Sequence, residues 1–224
     1  MPIRPEVIPF LLAAVGLAAL LLILLRVRRA AWRVSLISSI GLAVVLGSYF
    51  LYFFRDPERH APSDPAAIVA GADGTIMSVG VMPETTQLHT NAVRISIFLS
   101  LFDVHVNRSP VSGRIEFAAY YPGTRYFTFQ EKSSLYNQHS AILIAGGPVP
   151  CLVHQIVGPV ARRVVYWLRQ GQEIQKGDRI GMMKFGSRLD MYLPADAVDV
   201  VARPGDKVHA GETVVARLKD KGGP

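Results

Sequence analysis

The chain has 224 residues, of which 50% are hydrophobic and only 18% are charged, and its formal net charge is +7. Soluble domains average about 25% charged residues, so this composition excludes a disordered chain and disfavours an ordinary soluble domain. The imbalance lies at the start, because residues 1–54 hold five arginines and one acid. A single cysteine, Cys151, excludes an intrachain disulfide and favours a reducing compartment.

Two uncharged runs open the chain, over residues 7–25 and 34–54. Each is close to the roughly 20 residues that a membrane-spanning helix needs. The first run is too long for the core of a signal peptide and is followed by a second, which excludes a cleaved leader. We therefore predict a membrane-associated helical hairpin over residues 1–54. Two buried helices of a soluble domain are the alternative.

Two features of the sequence predict opposite orientations of the hairpin in the membrane. Four arginines lie in the connector, residues 26–33, and the positive-inside rule would keep them in the cytoplasm and export the C-terminal domain. The free thiol of Cys151 favours a cytoplasmic domain. A re-entrant or interfacial hairpin, its arginines meeting anionic headgroups, reconciles both signals. We expect the inner cell membrane, with the larger domain on the cytoplasmic side.

The rest of the chain is predicted to be mainly β. Residues 55–66 carry three prolines in twelve positions, typical of an extended linker. From residue 67 onward, short runs rich in β-branched residues alternate with turns, and few windows show a helical period. The sequence thus predicts one β-rich domain over residues 67–224.

An internal repeat lies near the C-terminus, where residues 171–180 recur as residues 205–214. Matched glycines bracket matched β-branched residues, which predicts two related strand-turn-strand units. This pairing resembles the barrel-sandwich of biotinyl and lipoyl domains. Those domains carry their cofactor between the two halves, so residues 182–194 are the first place to look for chemistry.

Two kinds of chemistry compete between the repeats. Met183-Lys184 is similar to a biotin attachment pair, although Lys184 follows Gly177 too closely for a biotinyl domain. In Gly186-Ser187, a serine hydroxyl lies next to a peptide bond whose glycine can adopt strained backbone conformations that other residues cannot. The open alternatives are a biotinyl- or lipoyl-like carrier and a membrane-anchored adaptor without chemistry.

The order of motifs along the chain resembles the phosphatidylserine decarboxylases, specifically their short bacterial type. Five segments carry the resemblance, and they follow the family's order: Phe53-Phe54-Arg55-Asp56-Pro57, Ala70-Gly71-Ala72-Asp73-Gly74, residues 98–110 from Phe98 to Pro110, Gln155-Ile156-Val157-Gly158 with Ala161-Arg162-Arg163, and Phe185-Gly186-Ser187.

The resemblance implies a pyruvoyl-dependent enzyme. A proenzyme would cut itself between Gly186 and Ser187, giving a β chain 1–186 and an α chain 187–224 that begins with a pyruvoyl group made from Ser187. The two chains would stay together as a heterodimer. They would decarboxylate phosphatidylserine to phosphatidylethanolamine through a Schiff base, without pyridoxal phosphate. The resemblance further implies that His105 is the base and Asp73 its orienting carboxylate.

Two arginines depart from the pattern of long-type members. Arg108 stands where those members carry a second histidine, so His105 would serve both in cleavage and in later proton transfers, or part of the work passes elsewhere. Arg188 follows Ser187 directly, and we expect it to pair with the substrate phosphate or carboxylate, or else to form a surface ion pair with Asp190.

Metal and nucleic-acid sites are not predicted. The six histidines show no metal-ligand spacing. Arg162-Arg163 has no accompanying aromatic or basic stripe, which disfavours binding to nucleic acid.

Overall fold

The computed structural model describes residues 2–124, 126–130, 133–159 and 164–219. The chain forms two compact units, Met1–Glu58 and Arg59–Pro224. The predicted linker, residues 55–66, is thus divided between them. The Ala161-Arg162-Arg163 motif lies outside the described residues.

The N-terminal unit is a pair of helices, α1 (Ile8–Val27) and α2 (Trp32–Phe53), preceded by a 3-10 turn at Pro5–Val7. Both helices are long and apolar enough to cross a membrane, with mean hydropathies of 2.9 and 2.0. Helix α1 ends where Arg29 adopts a left-handed conformation with φ 59°, a common way to stop a helix. Near the other end, the Phe10 and Phe50 rings lie 5.3 Å apart, so the helices run antiparallel.

The open end of this hairpin is closed by the backbone. Arg4 N donates to Phe54 O and Asp56 N donates to Pro2 O, both at 2.9 Å. The Arg4 guanidinium lies 3.6 Å from the buried Asp56 carboxylate. The segment that follows α2 is therefore fixed to the segment that precedes α1.

The described residues of the second unit lie mostly in strands and include one short helix, α3 (Ser133–Tyr136). Its strands are β1 (Ala67–Val69), β2 (Gly74–Glu84), β3 (Thr90–Leu99), β4 (Val106–Arg108), β5 (Gly113–Tyr121), β6 (His139–Ala145), β7 (Cys151–Val157), β8 (Val165–Tyr166), β9 (Glu173–Ile174), β10 (Arg179–Met182), β11 (Ser187–Pro194), β12 (Val198–Val200), β13 (Lys207–Val208) and β14 (Val214–Leu218).

Eight strands form one curled sheet in the order β13-β2-β3-β11-β7-β6-β5-β9, and two three-stranded sheets, β1-β14-β12 and β4-β10-β8, complete the unit. The predicted class, a mainly β unit with two N-terminal apolar helices, is confirmed.

The internal repeat produces two strand-turn-strand units that occupy equivalent places. Its first strands, β9 and β13, form the two edges of the large sheet, and its second strands, β10 and β14, lie at the centres of the small sheets. The matched turn glycines, Gly177 and Gly211, have φ values of 89° and 77°, which explains why glycine recurs there. A Cβ on Gly211 would lie 3.3 Å from Gly177 Cα, so the two turns pack directly against each other.

Strand alternation places the core on one face of the large sheet. Ile95, Ile97 and Leu99 of β3 and Leu189 and Met191 of β11 are fully buried and belong to one cluster. Directly opposite residues of antiparallel strands point to the same face. Odd-numbered residues of β3 and β11 therefore face the core, and even-numbered residues face away from it.

Candidate active site

Ser187 is the first residue of the central strand β11. It lies opposite Leu99 of β3 on one side and opposite Val157 of β7 on the other. The residue is fully buried, and its Oγ has no hydrogen-bond partner among the described residues. Because buried hydroxyls are normally hydrogen-bonded, this one is a candidate for chemistry.

The peptide before Ser187 is in an unusual conformation. Phe185 and Gly186 both lie in the left-handed region, with φ values of 58° and 69°. For a residue with a side chain this region costs about 1–2 kcal/mol, and such strain often accompanies functional sites. The Gly186–Ser187 bond therefore follows a strained turn and leads into a rigid strand.

His105 lies beside Met183, two residues before this turn. It is fully buried, and its carbonyl accepts a 3.1 Å hydrogen bond from Met183 N. The ring Nδ1 lies 3.0 Å from Asp103 O. A carbonyl only accepts, so Nδ1 carries the proton and Nε2 is the basic nitrogen in the neutral ring.

Asp73 lies at the same end of the sheet as Ser187. Strand β2 begins beside it at Gly74, and the register aligns Thr75 with Phe98 and Phe98 with Arg188. Two strand spacings separate Asp73 from Ser187, or about 10 Å. The sheet thus brings both residues to one edge without placing them in adjacent strands.

The carboxylate of Asp73 has partners from distant parts of the chain. Arg59 Nη2 donates at 2.9 Å, Ala210 N donates at 2.8 Å, and His209 Nδ1 lies 3.4 Å away. The Nδ1 of His105, in contrast, is oriented by the backbone of Asp103. In the structure, Asp73 is therefore part of an ion-pair cluster that joins residue 59 to the second repeat.

A chain of hydrogen bonds among buried side chains reaches the strand after His105. Ser140 Oγ donates to Gln155 Oε1 at 2.8 Å, and Gln155 Nε2 donates to Asn107 Oδ1 at 2.7 Å. Asn107 is fully buried, and its Nδ2 has no acceptor among the residues that the structure describes. The chain ends in an amide donor available to another group.

Face alternation directs this donor toward Ser187. Gln155 lies opposite Leu189, which shares its face of β11 with Ser187. Asn107 of β4 bonds to Gln155, and His105 directly precedes β4. Ser187 and Gln155 therefore share the core face of the large sheet, and the bond of Asn107 to Gln155 brings Asn107, with the nearby His105, to that side.

Arg188 points the opposite way. Its Nε donates to Asp190 Oδ1 at 2.8 Å and its Nη2 donates to Ser96 Oγ at 2.8 Å, and all three residues are fully buried. Asp190 also accepts a 2.5 Å hydrogen bond from Ser134 Oγ. The expected Arg188–Asp190 pair is present, but its expected surface position is wrong, because even-numbered residues of β11 lie beneath the segment that contains α3.

Arg108 contributes to the repeat rather than to this face. Its Nη1 donates to Gly177 O at 2.8 Å, and a Cβ on Gly211 would lie 2.8 Å from Arg108 Cδ. The arginine at the second-histidine position thus supports the paired turns of the repeat.

Metal ligands are not grouped in the described part of the chain, where no three His, Cys, Asp or Glu side chains come together. Sequence reasoning quoted Asn107 and Gln155 within motifs but assigned them no role. A usable signal existed, since His105 and Asn107 are polar residues that alternate with the apolar Val104 and Val106.

Comparison with known proteins shows which family the chain resembles. Residues 46–216 match the model of the phosphatidylserine decarboxylase family. A phosphatidylserine decarboxylase proenzyme of Desulfotalea psychrophila is 37% identical over 219 residues, covering 97% of each chain. That of Carboxydothermus hydrogenoformans is 42% identical over 80% of this chain and 85% of its own. That of Pelobacter propionicus is 44% identical over 80% of each.

These matches, on a mainly β fold, define a decarboxylase, which is a lyase. The chain belongs to the phosphatidylserine decarboxylase family. The matches support the lyase reading and not the carrier or the adaptor.

Proposed function

We propose that this chain is a proenzyme that cuts itself at Gly186–Ser187 and then decarboxylates phosphatidylserine to phosphatidylethanolamine. The observation that carries the proposal is the buried, unpartnered Oγ of Ser187 directly after two left-handed residues. Relatives of nearly the same length bear the name phosphatidylserine decarboxylase proenzyme.

In the self-cleavage, His105 Nε2 takes the proton of Ser187 Oγ, and the oxygen attacks the Gly186 carbonyl carbon. The new C–O bond replaces the C–N bond, and the proton passes to the freed nitrogen. Loss of the proton on Cα of residue 187 then expels Gly186 as a carboxylate and leaves dehydroalanine. Water replaces its nitrogen, ammonia leaves, and the pyruvoyl group begins the α chain.

Asn107 serves the attack as a hydrogen-bond donor. Its Oδ1 is occupied by Gln155, so its amide presents only Nδ2 to the core face that holds Ser187. A fixed donor in a dry site stabilises negative charge as it develops on an oxygen. We assign Asn107 Nδ2 as the donor to the oxygen that becomes negatively charged when Ser187 attacks the Gly186 carbonyl.

The structure fits a pyruvoyl group at position 187. Among the described residues, the Oγ from which the group would be generated has no hydrogen-bond partner, and the pairing of β11 with β3 and β7 would hold residue 187 in place after the cut. A pyruvoyl group at position 187 would supply the electron sink for decarboxylation of the substrate, which would remove the need for pyridoxal phosphate. His105 holds the proton that is returned to the product carbon.

Asp73 is proposed as the carboxylate of the site. Its burial and its position at the edge shared with Ser187 support this role, and its bonds to Arg59 and Ala210 hold it in place. The Nδ1 of His105 is bonded to Asp103 O, and Asp73 lies two strand spacings, about 10 Å, from Ser187, so we assign Asp73 an effect of its charge on the site.

Arg188 was expected to bind an anionic group of the substrate or to pair with Asp190. The buried ion pair and the bond to Ser96 favour the second role, because they direct the guanidinium away from the face of Ser187. In this role Arg188 holds β11 against β3.

The membrane assignment rests on α1 and α2. Their length and hydropathy support association with a bilayer. We propose the inner cell membrane, with the decarboxylase domain on the cytoplasmic side and the α and β chains held together as a heterodimer.

Intact-mass analysis of the purified full-length protein tests the proposal. Two chains of 186 and 38 residues are expected, the shorter with a blocked pyruvoyl start. Ser187→Ala should remain a single inactive chain. Ser78→Ala is the matched control, because Ser78 Oγ is also buried without a partner among the described residues. An uncut wild-type chain with decarboxylase activity would overturn the proposal.

A further inference from the structure

A segment beside the scissile bond exposes an unusual group of aromatic rings. Residues 126–130, here called the aromatic loop, carry Phe127 and Phe129, which are 54% and 59% exposed. Their rings stack with centroids 5.4 Å apart. Tyr136 is 58% exposed, and its ring lies 6.5 Å from that of Tyr126. Grouped exposed apolar side chains on a folded protein commonly mark an interaction site.

Buried polar residues hold the aromatic loop in this position. Asn137 Nδ2 donates to Tyr126 O at 2.7 Å and to Val157 O at 2.9 Å, while its Oδ1 accepts from Tyr126 N at 2.8 Å. Ser133 N donates to Gln130 O at 3.0 Å. The polar groups of the loop are thus bonded inward, and its rings are left outside.

The aromatic loop lies against the bond that is proposed to be cut. A Cβ on Gly158 would lie 3.2 Å from Gly186 O and 3.3 Å from Thr128 Cγ2. Val157, bonded to Asn137, lies directly opposite Ser187. Gly158 thus lies between Thr128 of the aromatic loop and the Gly186 carbonyl, which brings the exposed rings of the loop close to the reacting residue.

We propose that the aromatic loop docks the decarboxylase domain onto the bilayer, with Phe127 and Phe129 entering the interfacial layer. This inference rests on the proposed function. The reacting amine and carboxyl groups belong to a headgroup anchored in the membrane, whereas residue 187 is fully buried. The face nearest residue 187 must therefore meet the membrane surface, and aromatic rings favour that interface.

A bilayer suits this loop better than a protein partner does. The same chain carries two apolar helices long enough to span a membrane, so a lipid surface is available to its second unit. Stacked phenylalanines on a pinned loop add apolar area to membrane binding without requiring a complementary pocket.

Depth-dependent quenching gives a test that does not depend on activity. The full chain with Phe129→Trp, Trp32→Phe and Trp167→Phe is reconstituted in phosphatidylcholine and phosphatidylserine vesicles with brominated acyl chains. A second probe carries Val81→Trp instead, since Val81 is 66% exposed and its register partner Val93 lies at the opposite end of β3 from Leu99. Quenching of the probe at 129 but not at 81 is expected. Absence of quenching at 129, or equal quenching at both, would overturn the proposal.

Activity then separates docking from chemistry. The Phe127→Ser/Phe129→Ser variant should be cut normally and keep its activity on micelle-free dihexanoyl phosphatidylserine, yet lose about tenfold or more on vesicles. Val81→Ser should retain both activities. An equal loss of activity on both substrates would mean that the loop is part of the reaction pocket. No loss of activity would mean that the loop has no role. Either result would overturn docking of the loop onto the bilayer. A wild-type protein that is inactive on both substrates would instead refute the proposed function, and the quenching result would still stand.

Discussion

Gln155 Nε2 donates a 2.7 Å hydrogen bond to Asn107 Oδ1, and this bond decides which way the Asn107 amide points. Ser140 fixes Gln155 in turn through a 2.8 Å bond to Oε1. A donor held by two further side chains needs no rearrangement when charge develops nearby, which is the condition for stabilising an oxyanion.

Removal of the Asn107 donor should slow self-cleavage. We expect Asn107→Asp and Asn107→Ala to lower the rate about 100-fold, as for the loss of one oxyanion donor. Intact-mass analysis at intervals after synthesis measures the rate, and circular dichroism verifies the fold. Asn91→Asp, at an exposed position of β3, should be cut at the wild-type rate. A folded Asn107→Asp chain with normal kinetics would rule the role out.

The left-handed conformation of Phe185 predicts that a glycine at this position slows the proposed self-cleavage. Phe185 has φ 58°, a conformation that glycine adopts without penalty. If cleavage relieves this strain, Phe185→Gly should slow it about five- to tenfold, since about 1 kcal/mol is involved. Phe185→Ala keeps the Cβ and the strain, so it should be cut faster than the glycine variant. Equal rates for the two variants would show that the strain has no part in cleavage.

The buried ion pair predicts that Arg188 affects stability more than substrate affinity. Arg188→Ala leaves Asp190 without a charged partner in a fully buried position. Loss of one partner of such a pair costs about 3–5 kcal/mol, so the thermal midpoint should fall sharply. KM for phosphatidylserine should stay near the wild-type value. A raised KM with an unchanged midpoint would instead support contact with the substrate.

His154 predicts a stability change with pH. Burial, and then the nearby His139, lower its pKa to about 4 against the opposite pull of Asp190 and Glu84, and its Nδ1 is buried. An unfolded chain takes up this proton near pH 6.5. The stability is therefore complete above pH 6.5 and declines as the pH falls toward 4, by at most about 3 kcal/mol.

Thermal midpoints in detergent at pH 7.5 and pH 5 measure this dependence. His154→Gln should lose less stability between these values than the wild type does. His89→Gln, at an exposed position, should retain the wild-type difference. An identical decline in His154→Gln would mean that another group is responsible.

The sequence was informative where structure is local. Glycines and β-branched residues at matched spacing predicted two strand-turn-strand units, because each such unit is set by its own turn conformation. The uncharged runs predicted two apolar helices, because the length and hydrophobicity of a helix are also local properties of the sequence. Nothing local indicates that Asp73 meets Arg59 and Ala210, since chain folding brings these residues together over long separations.

Burial was the property least accessible to the sequence. A surface ion pair of Arg188 with Asp190 was one of the two expectations for Arg188. Instead β11 is flanked by β3 and β7, and its outer face is covered by the segment bonded through Ser134. The opposite holds for Phe127 and Phe129, which are apolar but exposed, and the sequence did not indicate their exposure. Both errors arise because amino-acid type predicts exposure only on average.

The central position of β11 has a consequence for when the enzyme becomes active. Ser187 is enclosed only after β3 and β7, which are far apart in sequence, have paired with the strand that it begins. A misassembled chain would lack this enclosure and the pinned donor, and would keep an ordinary serine. If the chain cuts itself at Gly186–Ser187 as proposed, the cut would depend on correct folding, because only a chain with these strands paired encloses the serine from which the reactive group is made.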